Sequence, residues 1–438
     1  MRQSKKRNYR MLRILVSLVA IILAGGAIYT SYQRMIEKGA DKPTRQHVKA
    51  EVANVEMQDT SRENENKKNE AKPVSYYQDS GSTEDKVSLM LENMTLEEKI
   101  GQLMVVGFQS TESDEHIESM IKNYHVGGVI LFDRNMKTPS QVAELTNQLQ
   151  DIAYSTKLQI PLTFSVDQEG GSIVRMRDSF SSLPSQQVLG QQGDAEKIKK
   201  LAVRTGEQLD AMGFTINFAP VLDLSETDSS SFGIDPQLTG KYGSEVIRGL
   251  VDGGVTATIK HFPGNGRSSV DPHLDTSSVK ANQEDLENSD IYPFKQVIDE
   301  FNHDDFLVMV THIKYPAYDK EKPASISSVI MQDLLRDRLG YTGIVVTDDL
   351  EMGAVNKYFT YEDLGCQAVA SGADMLLVCH TEENQKKVFN GIKNGVNSGK
   401  ISEERLDEAV QRILTHKYNN ITSIKVSAEK AAEVVGNN

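Results

Sequence analysis

Cysteine is scarce in this sequence: Cys366 and Cys379 are the only two among 438 residues. Neither follows an apolar segment near the N-terminus, which excludes a lipid anchor on cysteine. Cys379 ends an apolar run, residues 374–379, that is typical of a buried strand. We therefore expect two buried thiols in preference to one disulfide bond.

Positive charge is also in short supply, because 48 Lys and Arg face 62 Asp and Glu, which gives a net charge of −14. An acidic body repels phosphate backbones, so nucleic acid is not expected as a partner. The basic residues are concentrated at the N-terminus, where residues 1–35 contain no acid. This excess of basic residues is typical of a targeting segment, so we do not expect residues 1–35 to belong to the folded domain.

A charge-free apolar run, Ile14–Ile28, follows the basic cluster. Residues 12–29 reach about the lower limit for a membrane-spanning helix. Since the positive flank should stay in the cytoplasm, we expect a single-pass anchor at the cell membrane, with the body outside. The alternative is a cleaved secretory signal with Gly25 and Ala27 before the cut, which would release the body.

Three further segments follow residues 1–35, which hold the basic end and the membrane or signal segment. Residues 36–84 are polar, highly charged and without an apolar period, which predicts a disordered tether. Residues 85–420 are expected to form one folded domain, and residues 421–438 a C-terminal tail. The tether would hold the domain away from the membrane, and its length would matter more than its sequence.

Eight apolar runs alternate with amphipathic segments from about residue 86 to residue 420. The runs are 103–108, 126–132, 162–167, 216–224, 256–262, 307–313, 343–348 and 374–379. This alternation predicts a (β/α)8 barrel of the TIM type. An open, doubly wound α/β sheet is the alternative, but the first strand lacks the G-x-G-x-x-G turn that would support it.

Polar and ionisable residues end five of the eight runs. They are Asp167, Asp223, Lys260 with His261, Thr311 with His312, and Asp348 with Asp349. In a barrel these ends meet at one face, where catalytic groups collect. A metal-dependent hydrolase would need close histidines early in the barrel, and the first four runs supply none, so we expect neither a metal nor a cofactor.

One stretch is more specific than the rest: Lys260-His261-Phe262-Pro263-Gly264-Asn265-Gly266 followed by Asp271-Pro272-His273. It resembles the K-H-F-P-G-H-G…D-x-H signature of glycoside hydrolase family 3, in its single-domain β-N-acetylglucosaminidase branch. Other matching segments are Met94–Leu103, Gly127–Phe132 with Asn135, Asp167–Gly171, Asn217–Asp223 and Thr347–Met352. The resemblance covers roughly residues 86–418.

The resemblance implies a retaining double displacement on a sugar. Asp348 matches the family's nucleophile, while Asp271 and His273 match its acid/base dyad. Strand alternation would turn Asp349 to the opposite face from Asp348, and we expect it to accept hydrogen bonds from loop amides. In the dyad, the carboxylate would orient a histidine that transfers protons in both directions.

The family also supports substrate binding by Asp167, Lys260 and His261. Arg175 is a further candidate, although a helix after Gly171 could present it to solvent. His312 is expected to have a subsite role or to support the site from behind. Glu169, despite its place beside two glycines, is expected to be structural.

Two departures from the family pattern concern specificity. Asn265 stands where the family usually has a second histidine, and Ser230 stands where the branch usually has an arginine. With no room for a second domain after Asp348, the resemblance favours an exo-acting β-N-acetylglucosaminidase, working as a monomer on peptidoglycan or muropeptide fragments. The alternatives are a weakened, wall-binding relative and a family 3 glycosidase with another sugar specificity.

Overall fold

Eight parallel strands form a closed cylinder in a computed structural model that describes residues 74–77, 81–180, 183–268, 276–421 and 423–436. The strands are β1 Met104–Val106, β2 Gly128–Ile130, β3 Thr163–Val166, β4 Ile216–Asn217, β5 Ala257–Phe262, β6 Phe306–Val310, β7 Val345–Thr347 and β8 Leu376–Val378. Each overlaps one of the eight apolar runs. The predicted α/β barrel is therefore confirmed.

The barrel closes through two sets of hydrogen-bonded strands. One set has the order β4-β3-β2-β1-β8 and the other β5-β6-β7. Single parallel bridges, Ile216 with Thr256 and Val346 with Met375, join the sets at their two seams. Because every strand lies beside its sequence neighbours and β8 pairs with β1, the open doubly wound sheet is excluded.

Helices cover the outside of the barrel. They are α1 Thr83–Asn93, α2 Leu96–Leu103, α3 Glu115–Lys122, α4 Pro139–Tyr154, α5 Gln186–Gln192, α6 Ala195–Ala211, α7 Pro236–Asp252, α8 Gln283–Asn288, α9 Tyr292–Glu300, the π-helix α10 Val329–Arg338, α11 Gly353–Asn356, α12 Tyr361–Ser371, α13 Glu382–Asn397, α14 Glu403–Asn420 and α15 Ala428–Gly436. Two 3₁₀ turns, Asp133–Asn135 and Ala324–Ile326, lie between them.

Helix starts follow from side chains that satisfy the first free amides. Thr95 caps α2, and the Glu98 carboxylate accepts a hydrogen bond from the Thr95 amide in return, at 2.8 Å. Proline begins α4 and α7, where its missing N–H costs nothing.

The folded unit extends beyond the predicted domain bounds at both ends. The Tyr76 ring stacks on Tyr418 with the centroids 4.1 Å apart. Helix α1 begins at Thr83, inside the segment expected to be tether, and α15 buries Ala431 and Val435, inside the segment expected to be a tail. Apolar residues at these two places therefore belong to the barrel's packing.

None of the helices within the described part of the chain has the length and hydrophobicity of a membrane span. The predicted anchor, residues 12–29, lies outside the described residues. Both cysteines are free thiols, as expected. Cys379 is buried, but Cys366 is only partly buried, so the expectation of two buried thiols is wrong for Cys366.

A buried carboxylate fastens the face of the barrel at which the strands begin. Asp374, just before β8, is fully buried and contacts the guanidinium groups of Arg336 at 2.7 Å, Arg405 at 2.8 Å and Arg412 at 3.1 Å. It also accepts the Val345 amide at 2.9 Å. Burial acts to raise the pKa of Asp374, but the three cations outweigh it and hold that pKa below its usual value.

Replacing Asp374 with Asn should lower the free energy of unfolding by about 3–5 kcal/mol at neutral pH, because three cations lose their buried partner. Since the folded-state pKa is depressed, this stabilisation is present above the unfolded pKa of about 4 and is lost as the pH falls through the folded value. Urea unfolding followed by circular dichroism, at several pH values, measures it.

Asp151→Asn is the matched control, because Asp151 pairs with Lys425 at 2.6 Å on an exposed surface. This pair should contribute at most about 1 kcal/mol. Equal losses of unfolding free energy in the two variants would contradict the role given to Asp374.

Candidate active site

A cavity of about 660 Å³ opens at the face where the strands end. Its walls come from the carboxyl ends of β3, β5 and β7 and from the loops that follow β2, β4 and β8. Among the predicted site residues, the cavity brings together Asp167, Lys260, His261, Arg175 and Asp348. A space of this size accommodates a sugar ring with room for its neighbour.

Lys260 is the most deeply buried cation of the cavity, with only 3% of its surface exposed. Its ammonium lies 2.6 Å from Glu169 and 3.0 Å from Asp167. Burial acts to lower the pKa of Lys260, but the two carboxylates reverse the effect and raise it. Lys260 is therefore charged and links β5 to the end of β3.

The same cluster sets the charge of Asp167. Burial acts to raise the pKa of Asp167, but Lys260 and Arg175 outweigh it and hold that pKa below its usual value. Arg175 lies 3.4 Å from Asp167 and packs near the Phe132 ring, 5.4 Å from its centroid. Arg175 thus belongs to the cavity wall, and the expected solvent-facing alternative does not apply.

An irregular strand lets two consecutive residues of β5 reach the cavity. The register between β5 and β6 shifts between Ile259 and Phe262. Regular alternation would turn Lys260 and His261 to opposite faces, whereas a bulge redirects one of them. Both side chains line the cavity as a result.

Asp223, at the end of the fourth run, positions His261 and the loop after it. Its Oδ2 lies 2.7 Å from His261 Nδ1, and its Oδ1 accepts the amides of His261 at 3.1 Å and Asn265 at 2.6 Å. Burial acts to lower the pKa of His261, but the Asp223 carboxylate, with a smaller effect from Asp348, raises it. The ring nitrogen bound to Asp223 is a donor, because a carboxylate only accepts.

Glycine permits the loops after β4 and β5 to touch. A Cβ atom on Gly266 would lie 1.8 Å from the carbonyl oxygen of Leu224, closer than any real contact. This contact keeps the Asp223 carboxylate beneath the Asn265 amide. Gly266, the last residue of the K-H-F-P-G-N-G stretch, is therefore needed for the shape of the cavity.

Asp348 follows β7 and lines the cavity half-buried. Its Oδ1 accepts the amide of Asp349 at 2.9 Å. Among the described residues Asp348 forms no ion pair, in contrast to Asp167, Asp223 and Asp349. A carboxylate without a cationic partner keeps its electron pair available for attack on an electrophilic carbon.

Asp349 corrects one prediction and agrees with another. Because β7 ends at Thr347, strand alternation does not extend to Asp349, and its side chain also lines the cavity instead of facing away. Its Oδ1 accepts the amides of Glu351 at 3.1 Å and Cys379 at 3.2 Å, which is the predicted acceptor role. Its Oδ2 lies 3.2 Å from Nε2 of His380.

Glu351 is occupied elsewhere. Its Oε2 accepts the amides of His380 at 2.6 Å and Thr381 at 3.2 Å, and its Oε1 accepts from the Asn384 side chain at 2.7 Å. These contacts join the loop after β7, which carries Glu351, to the start of α13, which follows β8. Glu351 is therefore poorly placed to act as a proton donor in the cavity.

His312 lies behind the cavity and not in its wall. Its side chain is fully buried, and its nitrogens contact Ser325 Oγ at 2.7 Å and the Asp349 carbonyl at 2.9 Å. Burial lowers the pKa of His312, so the neutral ring donates from Nε2 to that carbonyl. Two roles were expected for His312. Direct contact with a subsite is wrong for it, and the structure instead shows that it supports the Asp348–Asp349 segment from behind.

Asp271 and His273 lie outside the described residues. Their assignment as a dyad stays a prediction from the sequence motif. Across the described ranges, no cluster of three or more His, Cys, Asp or Glu side chains is arranged to hold a metal ion.

Three residues that line the cavity had no assigned role in binding or catalysis in the sequence prediction. Glu169, expected to be structural, bonds Lys260 directly, and its Oε2 accepts from Ser230 Oγ at 2.7 Å. Asp223 was recognised only as a strand end. His380 follows the eighth run directly, so the strand-end rule that found the others could have found it as well.

A TIM-type barrel fits the class of glycoside hydrolases when its strand ends carry a carboxylate, here one with no cationic partner among the described residues, beside buried, charged hydrogen-bonding groups. Residues 95–416 match the model described as the glycosyl hydrolase family 3 N terminal domain. The chain belongs to glycoside hydrolase family 3, as its motifs predicted.

Relatives and solved structures agree with this assignment. The chain is similar to a beta-hexosaminidase of Nitrosomonas eutropha, with 33% identity over 67% of this chain and 85% of that protein. It is 30% identical to beta-hexosaminidase A of Pseudoalteromonas piscicida over 68% of this chain, but spans only 54% of that longer protein.

A solved family 3 beta-N-acetylglucosaminidase from Paenibacillus sp. str. FPU-7 superposes with a TM-score of 0.72 and 36% identity. The match covers 78% of this chain and 68% of that chain.

Replacing Asp223 with Asn should lower the pKa of His261, because the carboxylate that favours the imidazolium is removed. In the unchanged protein the pKa of His261 should lie above the usual value of about 6.5. Titration of ¹³C-labelled histidine by NMR, with His261→Gln to assign the signal, measures both values.

Asp349→Asn is the control, since Asp349 contacts His380 and not His261. The His261 titration should be nearly unchanged in this variant. A similar shift in both variants would show that the effect is not specific to the Asp223 contact.

Proposed function

We propose that this chain is an exported, retaining exo-β-N-acetylglucosaminidase that releases terminal β-linked N-acetylglucosamine from peptidoglycan or muropeptide fragments. The observation that supports it most is Asp348, a strand-end carboxylate that has no ion pair within the described ranges and lines the same cavity as Lys260 and His261. The names of the related hexosaminidases and of the solved N-acetylglucosaminidase support the choice of sugar.

The reaction would proceed in two displacements. In the first, an oxygen of Asp348 attacks the anomeric carbon, and His273 gives its proton to the departing glycosidic oxygen. In the second, His273 takes a proton from water, which attacks the same carbon and frees Asp348. Asp271 would hold the ring of His273 in the required tautomer and stabilise the imidazolium.

The charged groups around Asp348 would hold the sugar during both steps. Lys260 and His261 carry N–H donors, while Asp167 carries an acceptor that faces the cavity with 20% of its side chain exposed. Charged groups give short, directional hydrogen bonds to hydroxyls. Their mutual ion pairs keep them in place before the sugar arrives.

Incubation with a fluorinated N-acetylglucosamine analogue should trap a glycosyl-enzyme on Asp348, because fluorine slows the second displacement more than the attack. Peptide mapping by mass spectrometry would locate the label. Asp348→Ala should abolish it, while Asp349→Ala is the matched control and should still be labelled. A label on another residue would overturn the assignment of the nucleophile.

His273→Ala should lower turnover of substrates with poor leaving groups by about 10²–10⁴-fold, the usual contribution of a general acid. With a nitrophenolate leaving group, which needs no proton, the glycosyl-enzyme should form and then persist. Azide should restore turnover by attacking this intermediate without a base. Near-normal rates on natural disaccharides would show that another group donates the proton.

We further propose that residues 12–29 hold the enzyme at the cell membrane as a monomer with its active site outside. The body should then stay with membranes after a high-salt wash, because salt weakens charge contacts but not a buried helix. Protease added to intact cells should cleave it. Release into the medium with a new N-terminus near Ile28 would indicate a cleaved signal instead.

A different sugar specificity within family 3 is the second candidate, since Ser230 and Asn265 both border the cavity. Comparing nitrophenyl β-N-acetylglucosaminide with nitrophenyl β-glucoside separates the two. Preference for the glucoside would favour the second candidate, whereas binding without turnover of either substrate would indicate a wall-binding relative.

A further inference from the structure

His380 is a cavity residue for which neither the sequence motifs nor the mechanism above provides a role. It follows β8 directly and lines the same cavity as Asp348. Its side chain is 44% exposed, although its ring contacts Asp349 and Phe132. An exposed ring in a fixed position is suited to meeting a ligand.

The backbone of His380 is fixed from two sides. Its amide donates to Glu351 Oε2 at 2.6 Å, and its carbonyl accepts from Gln109 Nε2 at 3.0 Å. The preceding carbonyl, that of Cys379, accepts from Arg134 at 2.6 Å. The residue cannot move without breaking hydrogen bonds to three different loops.

The ring of His380 is fixed as well. Its Nε2 lies 3.2 Å from Asp349 Oδ2, and the ring packs against Phe132 with the centroids 5.4 Å apart. Because a carboxylate only accepts, this contact favours the tautomer in which Nε2 carries the hydrogen. In the neutral ring Nδ1 is then an acceptor with no protein partner among the described residues.

We propose that His380 is a substrate-binding residue whose Nδ1 accepts a hydrogen bond from a hydroxyl group of the sugar bound beside Asp348. Asp349 fixes the tautomer that makes Nδ1 an acceptor, and Phe132 sets the plane of the ring. The proposal rests on the proposed function for the identity of the sugar. It adds a contact from β8 to those that β3 and β5 supply.

Three substitutions separate the two ring nitrogens. His380→Asn keeps an oxygen acceptor near the place of Nδ1, His380→Gln keeps a donor near the place of Nε2, and His380→Phe keeps only a ring against Phe132. We expect kcat/KM on nitrophenyl β-N-acetylglucosaminide to fall about tenfold or more in the Phe and Gln variants, as for one lost hydrogen bond to a substrate. The Asn variant should recover a large part of this loss.

Sugars that lack one hydroxyl group provide the second half of the test. Among the 3-, 4- and 6-deoxy substrates, one should react poorly with the unchanged enzyme and show no further loss in His380→Phe. Additivity of the substitution with every deoxy change would overturn the proposal, because the ring would then contact none of these hydroxyls. Thermal unfolding of each variant excludes loss of fold as the cause.

Failure of this proposal is distinguishable from failure of the proposed function. Turnover by the unchanged enzyme with kcat/KM values within about twofold in all three variants would overturn the role of His380 alone. If the unchanged protein shows no turnover, calorimetric titration with N-acetylglucosamine compares sugar binding by the unchanged protein and by the variants. Weaker binding in His380→Phe would then support the contact, while equal binding or no binding to the unchanged protein would overturn it.

Discussion

The arrangement of the active face depends on one buried cation, Lys260. A charged ammonium with 3% exposure is costly to remove from water unless it is paired, and here Asp167 and Glu169 provide that pairing. The contact joins β5 to the end of β3 across the mouth of the barrel. It also holds two carboxylates whose mutual repulsion would otherwise separate them, so Lys260 fixes the spacing of Asp167 and Glu169 in the cavity wall.

Ion pairing differs among the carboxylates at the two ends of the barrel, and their roles differ with it. At the active face, cations and histidines engage Asp167, Asp223 and Asp349, while Asp348 has only an amide among the described residues. At the opposite face, Asp374 is buried among three arginines. The active face therefore holds a carboxylate free of ion pairs among the described residues, while at the opposite face the Asp374 carboxylate contributes to stability, as expected for this fold.

Much of this could be predicted from the sequence, since buried parallel strands are apolar throughout and their polar ends meet at one face. What could not be predicted depends on contacts between distant residues. The bulge that turns both Lys260 and His261 inward is set by the pairing of β5 with β6. The stacking of Tyr76 on Tyr418, which extends the folded unit, joins residues that no local pattern connects.

The two residues that depart from the family pattern, Ser230 and Asn265, both form hydrogen bonds with other residues around the cavity. The Ser230 hydroxyl donates to one oxygen of Glu169, and Lys260 occupies the other. The backbone amide of Asn265 donates to Asp223, and its side-chain Oδ1 accepts from Thr311 Oγ1 at 2.7 Å. A cationic side chain in place of Ser230 would compete with Lys260 for Glu169. With serine at this position, Lys260 is the only cation paired with Glu169 in the part of the chain that the structure describes. Under the proposed function, sugar binding in this part of the cavity would depend on Lys260 and on Arg175, which lies 3.4 Å from Asp167.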